Sequence, residues 1–279
     1  MQGIIEQRRA HGSEPPPAPL APVAGRSLFG VRLDALTLQD AVRRILALAR
    51  TPGPHLVMTP NVDHVLRARR DPEFAAACRM GSLVVADGLP LVWAARLLRR
   101  PLPERVAGSD LMPASAVAAA EQGLHFFLLG GAPGDAERTR QVIAERAGRD
   151  RCCGVECPPF GFENDASYME ALLQRINRAS PDILYVGLGS PKQERLMMAL
   201  RGRANVHVMM AVGVTFSFVA GTVRRAPPLV QRSGFEWLWR LCCEPRRLWR
   251  RYVGNLAVFP WLVLREWLAV TLRRHRPGP

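Results

Sequence analysis

Between residues 30 and 212 the chain alternates short apolar runs with stretches of helical periodicity. No other feature limits its fold as strongly. The apolar runs fall at residues 30–36, 55–58, 82–86, 124–129, 182–187 and 206–212, and each predicts a strand. Helical stretches separate them, at residues 37–49, 62–69, 114–122, 135–147, 167–179 and 191–201. The first shows the pattern plainly, with Leu38, Ala41, Val42, Ile45 and Leu46 spaced for one face of a helix. Strands that alternate with helices predict an α/β domain, Rossmann-like, with a mostly parallel sheet flanked by helices. There is no internal repeat.

With 279 residues, 48% of them hydrophobic, the chain has enough material for a sizeable core. Three regions follow from the pattern. Residues 1–26 contain Ser13-Glu14-Pro15-Pro16-Pro17-Ala18-Pro19 and read as a disordered Pro/Ala-rich tail. They lack the basic and apolar segments of a signal peptide, so the expected compartment is the cytoplasm. Residues 27–222 form the α/β domain. Around residues 222–228 the alternation stops, and residues 223–279 form a basic, helix-prone appendage.

Charge singles out that appendage. The formal net charge is +14, and every basic residue except Lys192 is arginine. Residues 224–276 alone carry twelve Arg against Glu236, Glu244 and Glu266, a net +9. Five of the six tryptophans (Trp237, Trp239, Trp249, Trp261 and Trp267) lie in the same stretch. Arginine with tryptophan suits the headgroup zone of an anionic membrane. The apolar run 256–264 is short, and Arg265-Glu266 interrupts its continuation, so it predicts an interfacial segment rather than a spanning one. The alternative is a C-terminal helix that packs its tryptophans on the core.

In open α/β sheets, ligands bind beyond the carboxyl ends of the strands. Polar groups there include Thr59-Pro60-Asn61, Asp87-Gly88, Gly130-Gly131 and Gly189-Ser190-Pro191-Lys192-Gln193-Glu194. Asp87 reads either as a cap on the following helix or as a general base. Thr59 and Asn61 read as helix caps or as partners for sugar hydroxyls. Gly130-Gly131-Ala132-Pro133-Gly134 reads as a plain turn or a weak phosphate loop. It is not a full dinucleotide fingerprint, which weighs against a nucleotide-dependent oxidoreductase. A basic nucleic-acid-binding protein is the other alternative, but the chain has no helix-turn-helix, RNP or zinc pattern. The six cysteines include Cys153 and Cys157, but no second pair at finger spacing follows. No metal site is expected. Nor does an Asp-x-Asp pair occur to hold a metal on a diphosphate. Arginine would then neutralise a leaving diphosphate, and its planar fork suits the task.

Seven blocks, in order, resemble the WecG/TagA/CpsF glycosyltransferase family. They are Thr59-Pro60-Asn61, Ala86-Asp87-Gly88-Leu89-Pro90-Leu91-Val92-Trp93, Pro103-Glu104-Arg105-Val106-Ala107-Gly108-Ser109-Asp110-Leu111 and Phe127-Leu128-Leu129-Gly130-Gly131. They continue with Val186-Gly187-Leu188-Gly189-Ser190-Pro191-Lys192-Gln193-Glu194, Ala220-Gly221-Thr222-Val223-Arg224-Arg225-Ala226-Pro227 and Glu236-Trp237-Leu238-Trp239-Arg240-Leu241. The resemblance spans about residues 27–259.

The resemblance implies an inverting, metal-independent transfer from a UDP-sugar to a polyprenyl-diphosphate-linked saccharide, with no cofactor. N-acetylmannosamine, its uronic acid and glucose are the implied sugars, and bacterial surface polysaccharide the implied product. By resemblance, Asp87 is the catalytic base and Thr59, Asn61, Arg105 and Gln193 contact substrate. Arg240, Arg247 and Arg250 then belong to a tail that covers the site. The implied location is peripheral, on the cytoplasmic face of the inner membrane, and a homo-oligomer is allowed. Two positions depart from the family pattern. Ser217 stands where many members carry Asp, and Leu196 stands where an aromatic often follows Pro-Lys-Gln-Glu.

Overall fold

The structure is a computed structural model that describes residues 23–274 except 234 and 244. Of residues 1–26, expected to be disordered, residues 1–22 lie outside the described residues, whereas Gly25 and Arg26 begin a strand.

The core is a six-stranded sheet in which every pair is parallel. Its strands are β3 (His55–Met58), β4 (Gly81–Val84), β5 (Phe126–Gly130), β6 (Cys152–Glu156), β7 (Ile183–Gly187) and β8 (Val208–Ala211). Their spatial order is β4-β3-β8-β7-β5-β6. The two-residue pleat divides the apolar runs between two cores. Leu56, Phe127, Leu184 and Met209 face one side, and Val57, Leu128, Tyr185 and Met210 face the other. Burial on both faces explains why these strands read as continuous apolar runs rather than alternating ones.

One face is covered by α1 (Leu38–Leu48), α5 (Gly108–Glu121), α6 (Asp135–Ala147) and α9 (Thr215–Ala220). The other is covered by α2 (Val62–Ala68), α3 (Pro72–Arg79), α4 (Leu89–Leu97), α7 (Ala166–Ala179) and α8 (Lys192–Leu200). The start of α1 shows the local logic. Thr37 Oγ1 accepts the Asp40 N–H at 3.2 Å while the Asp40 carboxylate accepts from Thr37, a reciprocal capping box.

The expected first strand, residues 30–36, is not part of the parallel sheet. Phe29 and Gly30, both at positive φ, turn the chain between β1 (Gly25–Leu28) and β2 (Val31–Asp34), which pair antiparallel. The hairpin shields the exposed edge of β4. Buried Asp34 accepts the Val84 N–H at 2.9 Å, and Arg32 donates to the Gly81 carbonyl at 3.1 Å. Strand β6 and helices α3 and α4 were not expected, and α5 begins at Gly108 rather than near residue 114.

Beyond residue 222 lie α10 (Pro228–Arg232), α11 (Glu236–Cys243) and α12 (Pro245–Arg274). Helix α12 docks by Leu262, which is buried, and by Phe259, whose ring meets Phe29 edge-on at 5.4 Å. Arg100 of the domain reaches Glu266 at 2.8 Å. Part of the appendage therefore packs on the core, but through Leu262 and Phe259 rather than its tryptophans: Trp249, Trp261 and Trp267 are exposed, contrary to the alternative reading. Among the described residues no helix is long and apolar enough to cross a membrane.

Candidate functional site

A parallel sheet puts all its strand carboxyl ends on one edge, and the polar segments after β3, β4, β7 and β8 meet there. Two backbone bonds and one from a backbone N–H to a side chain join the segments after β3 and β4 to the start of α5. The Asp87 N–H donates to the Pro60 carbonyl at 2.9 Å, and the Val106 N–H donates to the Ala86 carbonyl at 2.9 Å. The third runs from the Gly108 N–H to Asp87 Oδ2 at 3.4 Å. Gly108 is small for a reason. A Cβ there would lie 2.8 Å from Thr59 Oγ1, so a larger residue would have to displace Thr59.

The structure excludes one of the two readings of Asp87. The helix that follows it, α4, has Gly88 at its N-cap (φ +127), with no side-chain cap hydrogen bond. Asp87 therefore does not cap α4. Its carboxylate is turned to the start of α5 instead. There burial pushes its pKa up to about 6, against a lowering pull from Arg105 and the Gly108 N–H. Glu236 and Asp110 add to the upward push. Desolvation is the larger effect, and it leaves a carboxylate that is both a stronger base and ionised at neutral pH.

Beside Asp87 stands a network of two arginines and two acids. Arg105 Nη1 donates to Glu236 Oε2 at 2.7 Å, and its Nη2 lies 3.4 Å from Asp110 Oδ2. Arg225 grips Asp110 with both terminal nitrogens, Nη2 to Oδ2 at 3.0 Å, and turns its Nε to Glu236 Oε1 at 3.4 Å. Glu236 opens α11, so the appendage touches the site directly. Sequence reasoning missed Asp110, Arg225 and Glu236 as a group. All three lie inside the family-like blocks, but no local pattern joins residues so far apart in the chain.

The remaining expected residues are distributed as follows. Asn61 is the N-cap of α2: its Oδ1 accepts the His64 N–H at 3.2 Å, and His64 Nδ1 accepts the Asn61 N–H at 3.2 Å. This cap engages Oδ1, not the side-chain NH₂. Gln193 is buried, with Oε1 accepting the Gly213 N–H and Nε2 donating to Glu194 Oε1, both at 2.9 Å. It ties the start of α8 to the loop after β8, on a narrow cleft that Thr59 and His64 also line. Burial raises the Glu194 pKa. Ser190 is near enough to oppose that rise, yet its Oγ and Glu194 Oε2 make no hydrogen bond of normal geometry.

The weak phosphate-loop reading of Gly130 and Gly131 needs correction. The Gly131 N–H donates to the Gly187 carbonyl at 2.8 Å, so it is committed to the sheet. A Cβ on Gly130 would lie 2.5 Å from that same oxygen. These glycines let β5 and β7 approach closely. Lys192 pairs with Glu163 and covers the Phe160 ring at 4.6 Å. Ser217 donates to the buried Asp135 carboxylate, and Thr222 donates to its other oxygen at 2.8 Å. A carboxylate thus stands beside position 217, supplied by a different segment. Arg240 lies one helical turn beyond Glu236 in α11, and Arg247 and Arg250 lie in α12. Their side chains are outside the described residues.

A model of the glycosyl transferase WecG/TagA/CpsF family matches residues 26–273 of this chain.

The raised pKa of Asp87 has a consequence for stability. Folding moves it from the ordinary 3.8 to about 6, so the folded state holds this proton more tightly. The favourable contribution is fully present below about pH 4 and is lost as pH rises through 6. Asp87→Asn should therefore melt at a higher temperature than the wild type at pH 8, by an amount worth about 1–3 kcal/mol. Near pH 4 the difference should close. Equal melting at both pH values would show that the carboxylate is not desolvated.

Proposed function

The chain belongs to the WecG/TagA/CpsF family of glycosyltransferases, and on that premise we propose that it transfers a sugar from a UDP donor to a polyprenyl-diphosphate-linked saccharide. The carrying observation is the Asp87 carboxylate, with its pKa raised to about 6, set beside Arg105, which shares Glu236 with Arg225. A base and a pair of arginines on one edge of the sheet suit a displacement at an anomeric carbon. As the acceptor hydroxyl attacks, its proton passes to Asp87. The new C–O bond forms as the bond from the anomeric carbon to the diphosphate oxygen breaks. The electron pair leaves with UDP, and the configuration inverts. Arg105 stabilises the charge on the departing diphosphate, a task arginine performs without a metal ion.

Thr59 and Asn61 are the proposed partners for sugar hydroxyls or an acetamido group, Asn61 through its NH₂. Gln193 is proposed to act through the loop it holds, since both ends of its amide already bond within the protein. The donor sugar is proposed to be N-acetylmannosamine, its uronic acid or glucose, and the product a bacterial surface polysaccharide. Arg240, Arg247 and Arg250 are proposed to close over the diphosphate.

We further propose that the enzyme works peripherally, on the cytoplasmic face of the inner membrane, with residues 223–279 as its membrane-associating appendage. The apolar surface available for this is wider than the appendage. Helix α4, which starts two residues after Asp87, exposes Trp93 and Leu97, at 54% and 52%. They share a groove with Leu264 and Trp267 of α12. Arg96 and Arg265 are exposed nearby in sequence, and each basic residue near an anionic surface contributes about 1 kcal/mol.

Two measurements test this reading. UDP release with a short-chain polyprenyl-diphosphate acceptor should fall by about 10²–10⁴-fold in Asp87→Asn. In the wild type kcat/KM should fall tenfold per pH unit below about 6, as Asp87 takes up its proton. Activity of Asp87→Asn within tenfold of the wild type removes Asp87 as the base. For the membrane role, Trp93→Glu with Leu264→Glu should lower flotation with anionic liposomes while UDP affinity stays unchanged. Undiminished flotation rules out this face.

A further inference from the structure

Arg105 and Arg225 lie far apart in the chain, yet they share both of their carboxylate partners. Glu236 spans them, with Oε2 at 2.7 Å from Arg105 Nη1 and Oε1 at 3.4 Å from Arg225 Nε. Asp110 spans them too, at 3.4 Å from Arg105 and closer still to Arg225. The two acids are mounted differently. Asp110 sits in the first turn of α5, whose Leu111, Met112 and Ala116 are fully buried. Glu236 opens α11, a helix of eight residues whose Leu238 and Cys242 are exposed. Asp110 stands on a helix anchored in the core, and Glu236 is carried on a short helix with exposed apolar residues.

With Asp87, the cluster holds three carboxylates against two guanidiniums. An incoming diphosphate adds more negative charge to a site that already has an excess of it. Exchange relieves the conflict: the diphosphate takes the place of one carboxylate and inherits its donors. Glu236 already presents two oxygens to two guanidiniums, the pattern a diphosphate presents to a pair of arginines. We propose that Arg225 is a second phosphate-binding residue of the site, and that Glu236 is the carboxylate the donor's diphosphate displaces from Arg105 and Arg225. The proposal rests on reading this edge as a nucleotide-diphosphate site. Its consequence is reciprocal: anything that holds Glu236 on the arginines weakens donor binding, and donor binding frees the start of α11.

Calorimetric titration of the full chain with UDP, and separately with inorganic pyrophosphate, tests it. Arg225→Gln should weaken binding by about tenfold or more, the loss expected for charge-assisted hydrogen bonds. Glu236→Gln should tighten binding by about three- to tenfold, because a competitor has been removed. A network with a purely structural role moves both variants the same way, so opposite signs are the signature. Arg225→Lys, which keeps the charge but loses the fork, should fall between wild type and Arg225→Gln. If Arg225→Gln does not fold, Arg225→Lys and the sign of Glu236→Gln decide. Wild-type affinity in Arg225→Gln, unchanged or weaker binding in Glu236→Gln, or no binding of either probe to the wild type overturns the proposal. Binding of pyrophosphate without UDP instead overturns the UDP-donor reading and leaves this one standing.

Discussion

Desolvation of the half-buried Asp87 carboxylate is the constraint on which the site depends. Removing water from a carboxylate disfavours its charge, and a nearby guanidinium restores part of what is lost. With Arg105 alone beside it, Asp87 would be held firmly ionised and would be a weaker base. With no arginine its pKa would stand higher still. Glu236 and Asp110 draw on the same guanidinium and leave the balance near pH 6, where a carboxylate is ionised in the cell and still accepts a proton. The acids that surround Arg105 are therefore part of what sets Asp87.

The site needs groups from distant parts of the chain brought to one edge. The parallel sheet does this by ending all its strands on one edge. Asp87 follows β4, Thr59 follows β3, and the Gly213 loop that Gln193 holds follows β8. Helix α5 begins against Asp87 because Gly108 leaves room for Thr59. The appendage then completes the charge network through Glu236. The site and the proposed membrane-facing surface are joined through short connections. Helix α4 begins beside the carboxylate and ends at exposed Leu97, and α11 begins at the arginines.

Much of the scaffold was legible in the sequence, for a physical reason. Strands β3, β4, β5, β7 and β8 lie in a sheet covered on both faces, so nearly every residue in them is apolar. Strand β6 lies at the sheet edge and is only half-buried along its length, so Cys152–Glu156 left no such run. Helix α4 escaped notice for the opposite reason. It buries Leu91, Ala94 and Ala95 yet exposes Trp93 and Leu97, so it is apolar almost all round and shows no 3.6-residue stripe. Pro113 hid the first turns of α5. Of the site, Asp87, Thr59, Asn61 and Arg105 were legible as a set only through family-like blocks. Nothing local showed that Gly130 and Gly131 serve strand packing, or that Glu236 would meet Arg105 across 131 residues. Such contacts exist only once the chain has folded.

Asp87 as a desolvated base, poised by its neighbours, is the centre of this account, and its protonation can be observed directly. Carbon NMR of protein labelled at the aspartate carboxyls, with Asp87→Asn to assign the resonance, gives the titration of this one group. A midpoint near pH 6 is predicted, shifting downward in Glu236→Gln as one negative neighbour is lost. A midpoint at or below the ordinary value of 3.8 would contradict the account.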